Sequence, residues 1–159
     1  MTNKLHTALD ELEYQYYRLL LIVGIQGAGK TQLLQSFATE INKNVVNLNL
    51  ELSKRLLALT SGQRIFKIPH LMDEIISEAN ANANMMQGGQ IGIFDNTEIL
   101  FYKTLSQDPL QVLKSISRNH KILCSWNGTL DKGKLTYADG DHPEFRKYDI
   151  DGIQVIDIN

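Results

Sequence analysis

The sequence predicts an α/β fold three layers deep, a mostly parallel five-stranded sheet between helices, and three observations predict it. Five short apolar segments recur along the chain, and amphipathic helical patterns separate most of them. A glycine-rich turn follows the first segment, at the place where parallel sheets bind ligands, beyond the carboxyl ends of their strands. At 159 residues the chain fits one domain, 1–159, able to bury roughly two thirds of the surface its unfolded form exposes.

Leu5, Ala8, Leu9, Leu12 and Tyr16 recur at helical spacing, so residues 1–17 are expected to form a helix preceding the sheet, capped by Thr2 or Asn3. Residues 19–23, Leu-Leu-Leu-Ile-Val, read as a strand buried on both faces, and Leu33, Leu34, Phe37, Ala38 and Ile41 mark one face of the next helix. "NVVNLNL", 44–50, reads as a second strand. Leu52, Leu56 and Leu59 follow at helical spacing, and Pro69 is placed at the first position of a helix carrying Leu71, Met72, Ile75, Ile76 and Ala79. A polar, asparagine-rich stretch, 80–90, reads as a loop before a third strand, "IGIF", 91–94. Asp108-Pro109 opens a helix bearing Leu110, Leu113 and Ile116, and "KILCSW", 121–126, is the fourth strand. Lys132-Gly133 and Asp139-Gly140 signal turns around a small hairpin, and "IQVIDI", 153–158, is the last strand.

Composition narrows the function classes. A net charge of -2 supplies no basic field, so DNA binding is not supported by charge, although Lys54, Arg55, Arg64 and Lys67, and separately Arg118 and Lys121, lie close in sequence. The single Cys124 sits in an apolar run and is expected to be a small buried hydrophobe in a reducing compartment. No stretch approaches about eighteen apolar residues, and the N-terminus lacks a signal-peptide pattern, so no membrane association is expected and a cytoplasmic location is. The four histidines show no ligand spacing with Cys124, which argues against a zinc site.

Gly24-Ile25-Gln26-Gly27-Ala28-Gly29-Lys30-Thr31 matches G-x-x-x-x-G-K-[ST], with a strand before it and a helix after it. The glycines let successive backbone N–H groups face inward, and the positive end of the helix points at the same spot, so an anionic phosphate chain fits there. Backbone and side chains of Gly24, Gln26, Gly27, Ala28, Gly29, Lys30, Thr31 and Gln32 are the expected nucleotide contacts. Lys30 would reach the β- and γ-phosphates of ATP, and the Thr31 hydroxyl would ligate Mg²⁺.

The other half of such a site is a carboxylate ending a second buried strand. Asp95, directly after "IGIF", is placed to hold Mg²⁺, the competing reading being an Asp95-Asn96 turn. Many hydrolysing members of the class follow this aspartate with a glutamate; Asn96 stands here instead, and Glu98 is the nearest carboxylate for a catalytic base or, alternatively, a helix-start glutamate. Asn127, at the end of strand four, is the expected γ-phosphate sensor, against a plain Asn-Gly turn. Trp126 is assigned to packing. Arg146 is the expected trans-acting arginine, reaching the nucleotide of a neighbouring subunit, with Arg118 competing; the alternative for Arg146 is a surface pair with Asp141, Glu144 or Asp149.

In this order the motifs resemble the core of the AAA+ and related additional-strand P-loop ATPases, without the adjacent glutamate and without the helical lid that usually follows the last strand. From about Tyr17 onward, "NLNLELSKRLL", "FDNTEILF" and the segment 107–157 resemble the BrxF family, the small P-loop component of type 3 BREX systems, which protect bacteria from bacteriophage. That resemblance implies a cytoplasmic bacterial ATPase that forms a homo-oligomer and acts beside other BREX components: a DNA methyltransferase, a larger P-loop ATPase and a phosphatase-like protein. The alternatives are a P-loop kinase for a small molecule or nucleotide and a nucleotide-dependent binding module without turnover.

Overall fold

In the computed structural model, which describes residues 1–81, 90–138 and 141–159, a mostly parallel sheet lies between two layers of helices. The asparagine-rich stretch read as a loop falls mostly, and the Asp139-Gly140 turn wholly, outside the described residues.

β1 (Leu19–Gly24) is buried along its whole length, which is why its sequence is an uninterrupted apolar run rather than an alternation. It pairs in parallel with β4 (Lys121–Asp131) on one side and β7 (Gln154–Asp157) on the other. β3 (Ile91–Asp95) pairs with β4, and the short β2 (Val46–Asn47) with β3, so the order is β2-β3-β4-β1-β7. Leu19, Leu21 and Val23 face one core with α3 (Leu48–Leu56), α4 (Ser61–Ala79) and α5 (Pro109–Ser117). Leu20 and Ile22 face the other with α1 (Thr2–Glu11) and α2 (Lys30–Glu40). Each such side chain taken out of water contributes about 1.5–3 kcal/mol, so the strand carrying the phosphate-loop motif is also among the most firmly held.

Three sequence expectations need correction. The strand expected over 44–50 stops at Asn47, whose side chain accepts a hydrogen bond from the Leu50 amide at 3.1 Å and starts α3. Leu48, Leu52 and Leu56 are buried at helical spacing while Leu50 turns outward, so the period of four outweighed the local alternation. Pro69 does not begin α4; the helix starts eight residues earlier at Ser61, behind a reciprocal capping box of Thr60 and Gln63. A proline inside a helix leaves the carbonyl four residues back without its donor, and the Gln107 side-chain amide fills that place, donating to the Ile65 carbonyl at 2.8 Å. Finally, α1 begins at Thr2 behind Met1 with no side-chain cap, and Tyr16 stays exposed.

The hairpin signalled by Lys132-Gly133 is present but larger than expected. β4 runs on past its parallel neighbours to Asp131, turns, and pairs antiparallel with β5 (Lys134–Tyr137), which pairs in turn with β6 (Arg146–Asp149). Gly128 is required in this extension: a Cβ there would lie 1.7 Å from the Thr136 carbonyl oxygen, which accepts the Trp126 indole N–H at 2.8 Å. Cys124 is fully buried, and burial pushes its thiol pKa far up, as expected for an inert packing residue. Among the described residues no helix is long and apolar enough to cross a membrane.

Candidate functional site

β1 delivers the chain to a loop whose shape depends on left-handed backbone at Gly27 (φ 85°) and Gly29 (φ 101°), conformations that cost an L side chain about 1 kcal/mol or more. Gly29 occupies the N-cap of α2, so the first turn of that helix opens onto the loop. Gln26, Gly27, Gly29, Lys30, Thr31 and Gln32 line a cleft of about 1140 Å³ at the carboxyl edge of the sheet. The two other expected contacts shape the loop instead: the Ala28 amide donates to the Ile25 carbonyl, and Gly24 ends β1 with its carbonyl turned to Lys30.

Lys30 is 6% exposed and folds back on its own loop, donating from Nζ to the carbonyls of Gly24 at 2.7 Å and Ile25 at 2.8 Å. Burial lowers its pKa, partly offset by the carboxylates of Asp95 and Glu98. An anion in the cleft would be a better partner for this ammonium than two neutral carbonyls.

Asp95, the last residue of β3, is buried and accepts two hydroxyl hydrogen bonds, from Thr31 at 2.6 Å and from Ser125 at 2.7 Å. The glycine-rich loop and the end of β3 thus meet across 64 residues of sequence at a single carboxylate. β4 lies between β1 and β3, and its Ser125 side chain completes the contact. One carboxylate and one hydroxyl suit Mg²⁺, which keeps several waters and takes further oxygens from phosphate. Among the described residues no group of three acidic, histidine or cysteine side chains could enclose a metal alone.

Asn96 adopts a left-handed conformation (φ 53°) and is exposed, so the turn reading holds for Asn96 while Asp95 keeps its place in the strand. After this turn Glu98 lines the cleft beside Asn96 and adds a carboxylate to that of Asp95. Its two carboxylate oxygens are each held by an amide: Asn127 Nδ2 donates to Oε1 at 2.6 Å and Asn49 Nδ2 to Oε2 at 2.9 Å. Asn127 is no turn residue; it lies within β4, in register with Gly24, and lines the cleft. Asn49, in the first turn of α3, also accepts the Ile99 amide at 2.8 Å, fastening the 3₁₀ turn Glu98–Phe101. Sequence reasoning missed Asn49 because "NVVNLNL" was read as a strand; the cap signal of Asn47 before the period-four leucines was the clue.

The remaining wall comes from the antiparallel extension, which contributes Gly128, Thr129, Tyr137, Ala138 and His142. No sequence pattern pointed to these.

Neither arginine lies in the cleft. Arg146 opens β6, and its Nη2 donates to the Gln107 carbonyl at 3.5 Å; among the described residues it forms none of the expected carboxylate pairs. Arg118 stacks over Tyr16, 4.9 Å from the ring centre, in a separate hollow with Arg18 and Glu13. Lys30 is the sole lysine or arginine among the described cleft residues.

Comparison with protein-family models, with curated proteins and with solved structures finds no match.

Proposed function

We propose that the protein binds ATP with Mg²⁺ in this cleft and hydrolyses it, with nucleotide state controlling self-assembly or engagement of a partner. The observation that carries the reading is the carboxylate of Asp95, joined at once to the phosphate-loop hydroxyl of Thr31 and to Ser125 of the intervening strand, beside a Glu98 braced by two amides. The order β2-β3-β4-β1-β7, with a strand inserted between the phosphate-loop strand and the Asp95 strand, supports the AAA+-like, additional-strand class of P-loop NTPase.

In this reading Lys30 exchanges its loop carbonyls for β- and γ-phosphate oxygens, and the α2 N-terminus and loop amides hold the rest of the chain. Thr31 and Asp95 would hold Mg²⁺, which when bound would neutralise phosphate charge. Glu98 accepts a proton from the attacking water as its oxygen bonds the γ-phosphorus and the bond to the bridging oxygen breaks, giving ADP and phosphate. Asn127 keeps Glu98 aimed, and its second amide hydrogen would donate to the γ-phosphate.

The resemblance of the 107–157 segment to the BrxF family supports a place in a type 3 BREX system, in the bacterial cytoplasm, beside that system's methyltransferase, larger ATPase and phosphatase-like protein. With Lys30 the lone lysine or arginine of the described cleft, an arginine from a second copy of the chain, Arg146 or Arg118, would supply further positive charge at the γ-phosphate.

Phosphate release without an added acceptor is the deciding assay. Wild type should release phosphate, while Lys30→Ala should weaken ATP binding about 100-fold and Glu98→Gln should bind ATP but lose about 100-fold in turnover. Release only when an acceptor is supplied would favour the kinase. Size-exclusion chromatography with a slowly hydrolysed ATP analogue should show assembly; a protein monomeric at every concentration would sink the trans-acting arginine.

A further inference from the structure

The structure assigns to Tyr137 a direct role at the γ-phosphate: its hydroxyl is a donor supplied in cis by the antiparallel extension. The inference rests on the hydrolase reading above and adds a catalytic residue to it.

Tyr137 ends β5 in register with Gly128, one residue beyond β4's pairing with β1, so it stands over the carboxyl edge of the sheet where the glycine-rich loop opens. Its ring is clamped. Phe101, the last residue of the 3₁₀ turn that Glu98 begins, stacks on it at 3.4 Å with an interplanar angle of 8°, and Trp126 meets it edge-on at 6.1 Å. The same aromatic group therefore fixes Glu98 and Tyr137 relative to one another: Trp126 lies one residue before Asn127, whose amide holds Glu98.

The residue is 5% exposed yet lines the cleft together with Lys30, Glu98 and Asn127. Among the described residues its hydroxyl makes no hydrogen bond, although other polar side chains at the catalytic end of the cleft are already engaged: Thr31 and Ser125 to Asp95, and Asn127 to Glu98. A clamped phenol with no partner among the described residues, on a residue that lines the cleft, is a preorganised donor, and such donors act on developing oxyanion charge without reorganising. Burial and the nearby Glu98 carboxylate push the phenol pKa up, so it stays protonated through the working pH range.

The test is Tyr137→Phe, which keeps the ring and its stacking and removes only the hydroxyl. Turnover should fall about tenfold or more, less than the ~100-fold of a donor in a closed site, with KM for ATP within twofold and an unchanged melting temperature. Tyr137→Leu, which removes the stack too, should also lower the melting temperature, separating ring from hydroxyl. Tyr102→Phe, an exposed tyrosine outside the cleft, should match wild type. Equal turnover in wild type and Tyr137→Phe overturns the role of Tyr137 and leaves the hydrolase reading standing. Wild-type release no greater than that of Lys30→Ala overturns both.

Discussion

The two halves of β4 obey different rules. Residues 121–126 lie between β1 and β3 in a parallel sheet and are almost entirely buried, so their sequence, Lys-Ile-Leu-Cys-Ser-Trp, is close to continuously apolar. Residues 128–131 pair with β5 alone and show the mixed exposure of a sheet edge. The first half is scaffold: it sets Ser125 against Asp95 and presents Asn127 at the rim. The second half is wall, held to the body mainly by the Trp126, Phe101, Tyr137 and Tyr148 rings and by the Trp126–Thr136 hydrogen bond. The lesson is that one strand can serve both parts of a site, provided a glycine at the changeover lets the second sheet approach.

That division can be broken at Gly128. Gly128→Ala forces a methyl group onto the Thr136 carbonyl, and a loss of about 3 kcal/mol in unfolding free energy is expected from chemical denaturation. If wall and scaffold are separate in function, ATP affinity should survive in the folded fraction while turnover falls with the displaced Tyr137. Parallel loss of binding would mean that the phosphate loop depends on the wall.

Asn49→Ala sharpens the contrast from the scaffold side. It frees one oxygen of Glu98 and leaves the Ile99 amide without its acceptor. Turnover should drop about tenfold with ATP affinity unchanged, and stability should fall by about 1–2 kcal/mol. An unchanged turnover would show that Asn127 alone aims Glu98.

Gln107 is where the wall joins the helical layer, since its carbonyl receives Arg146 of β6 and its amide serves the carbonyl orphaned by Pro69. Gln107→Ala should cost about 1–2 kcal/mol by leaving the Ile65 carbonyl unpaired. In a Pro69→Ala background the restored helix N–H should remove most of that cost, a coupling that a double-mutant cycle reads directly.

The smallest effect concerns pH. Because burial lowers the Lys30 pKa in the free protein, raising the pH deprotonates this lysine earlier than an ordinary one, and in the proposed reading ATP would bind the protonated form. Affinity should therefore decline a few-fold as pH rises toward 10, starting below the usual lysine range, and isothermal titration across pH 7 to about 10 would show it. Lys30→Arg, which stays charged, should lack the decline.

Much of the scaffold could be read in advance. The apolar run before Gly24, the period-four leucines of the helices and the Asp108-Pro109 start were legible because burial on both faces or along one stripe leaves a direct imprint on side-chain type. Boundaries failed where two periods coincided, as at Leu48 and Leu50, or where a distant side chain changed the cost of a residue, as Gln107 did for Pro69.

The glycine-rich loop was legible in sequence alone, because it lies in eight consecutive residues whose backbone conformation follows from glycine positions. Asp95 was nearly so, being tied to the end of a recognisable strand. Only the tertiary structure decided that Asn49 and Asn127 clasp Glu98 and that a stacked Tyr137 lines the cleft, while Arg146 lies outside it. Those residues act through contacts between segments tens of residues apart, and the direction of a side chain across such a gap is set by packing, which no local pattern encodes.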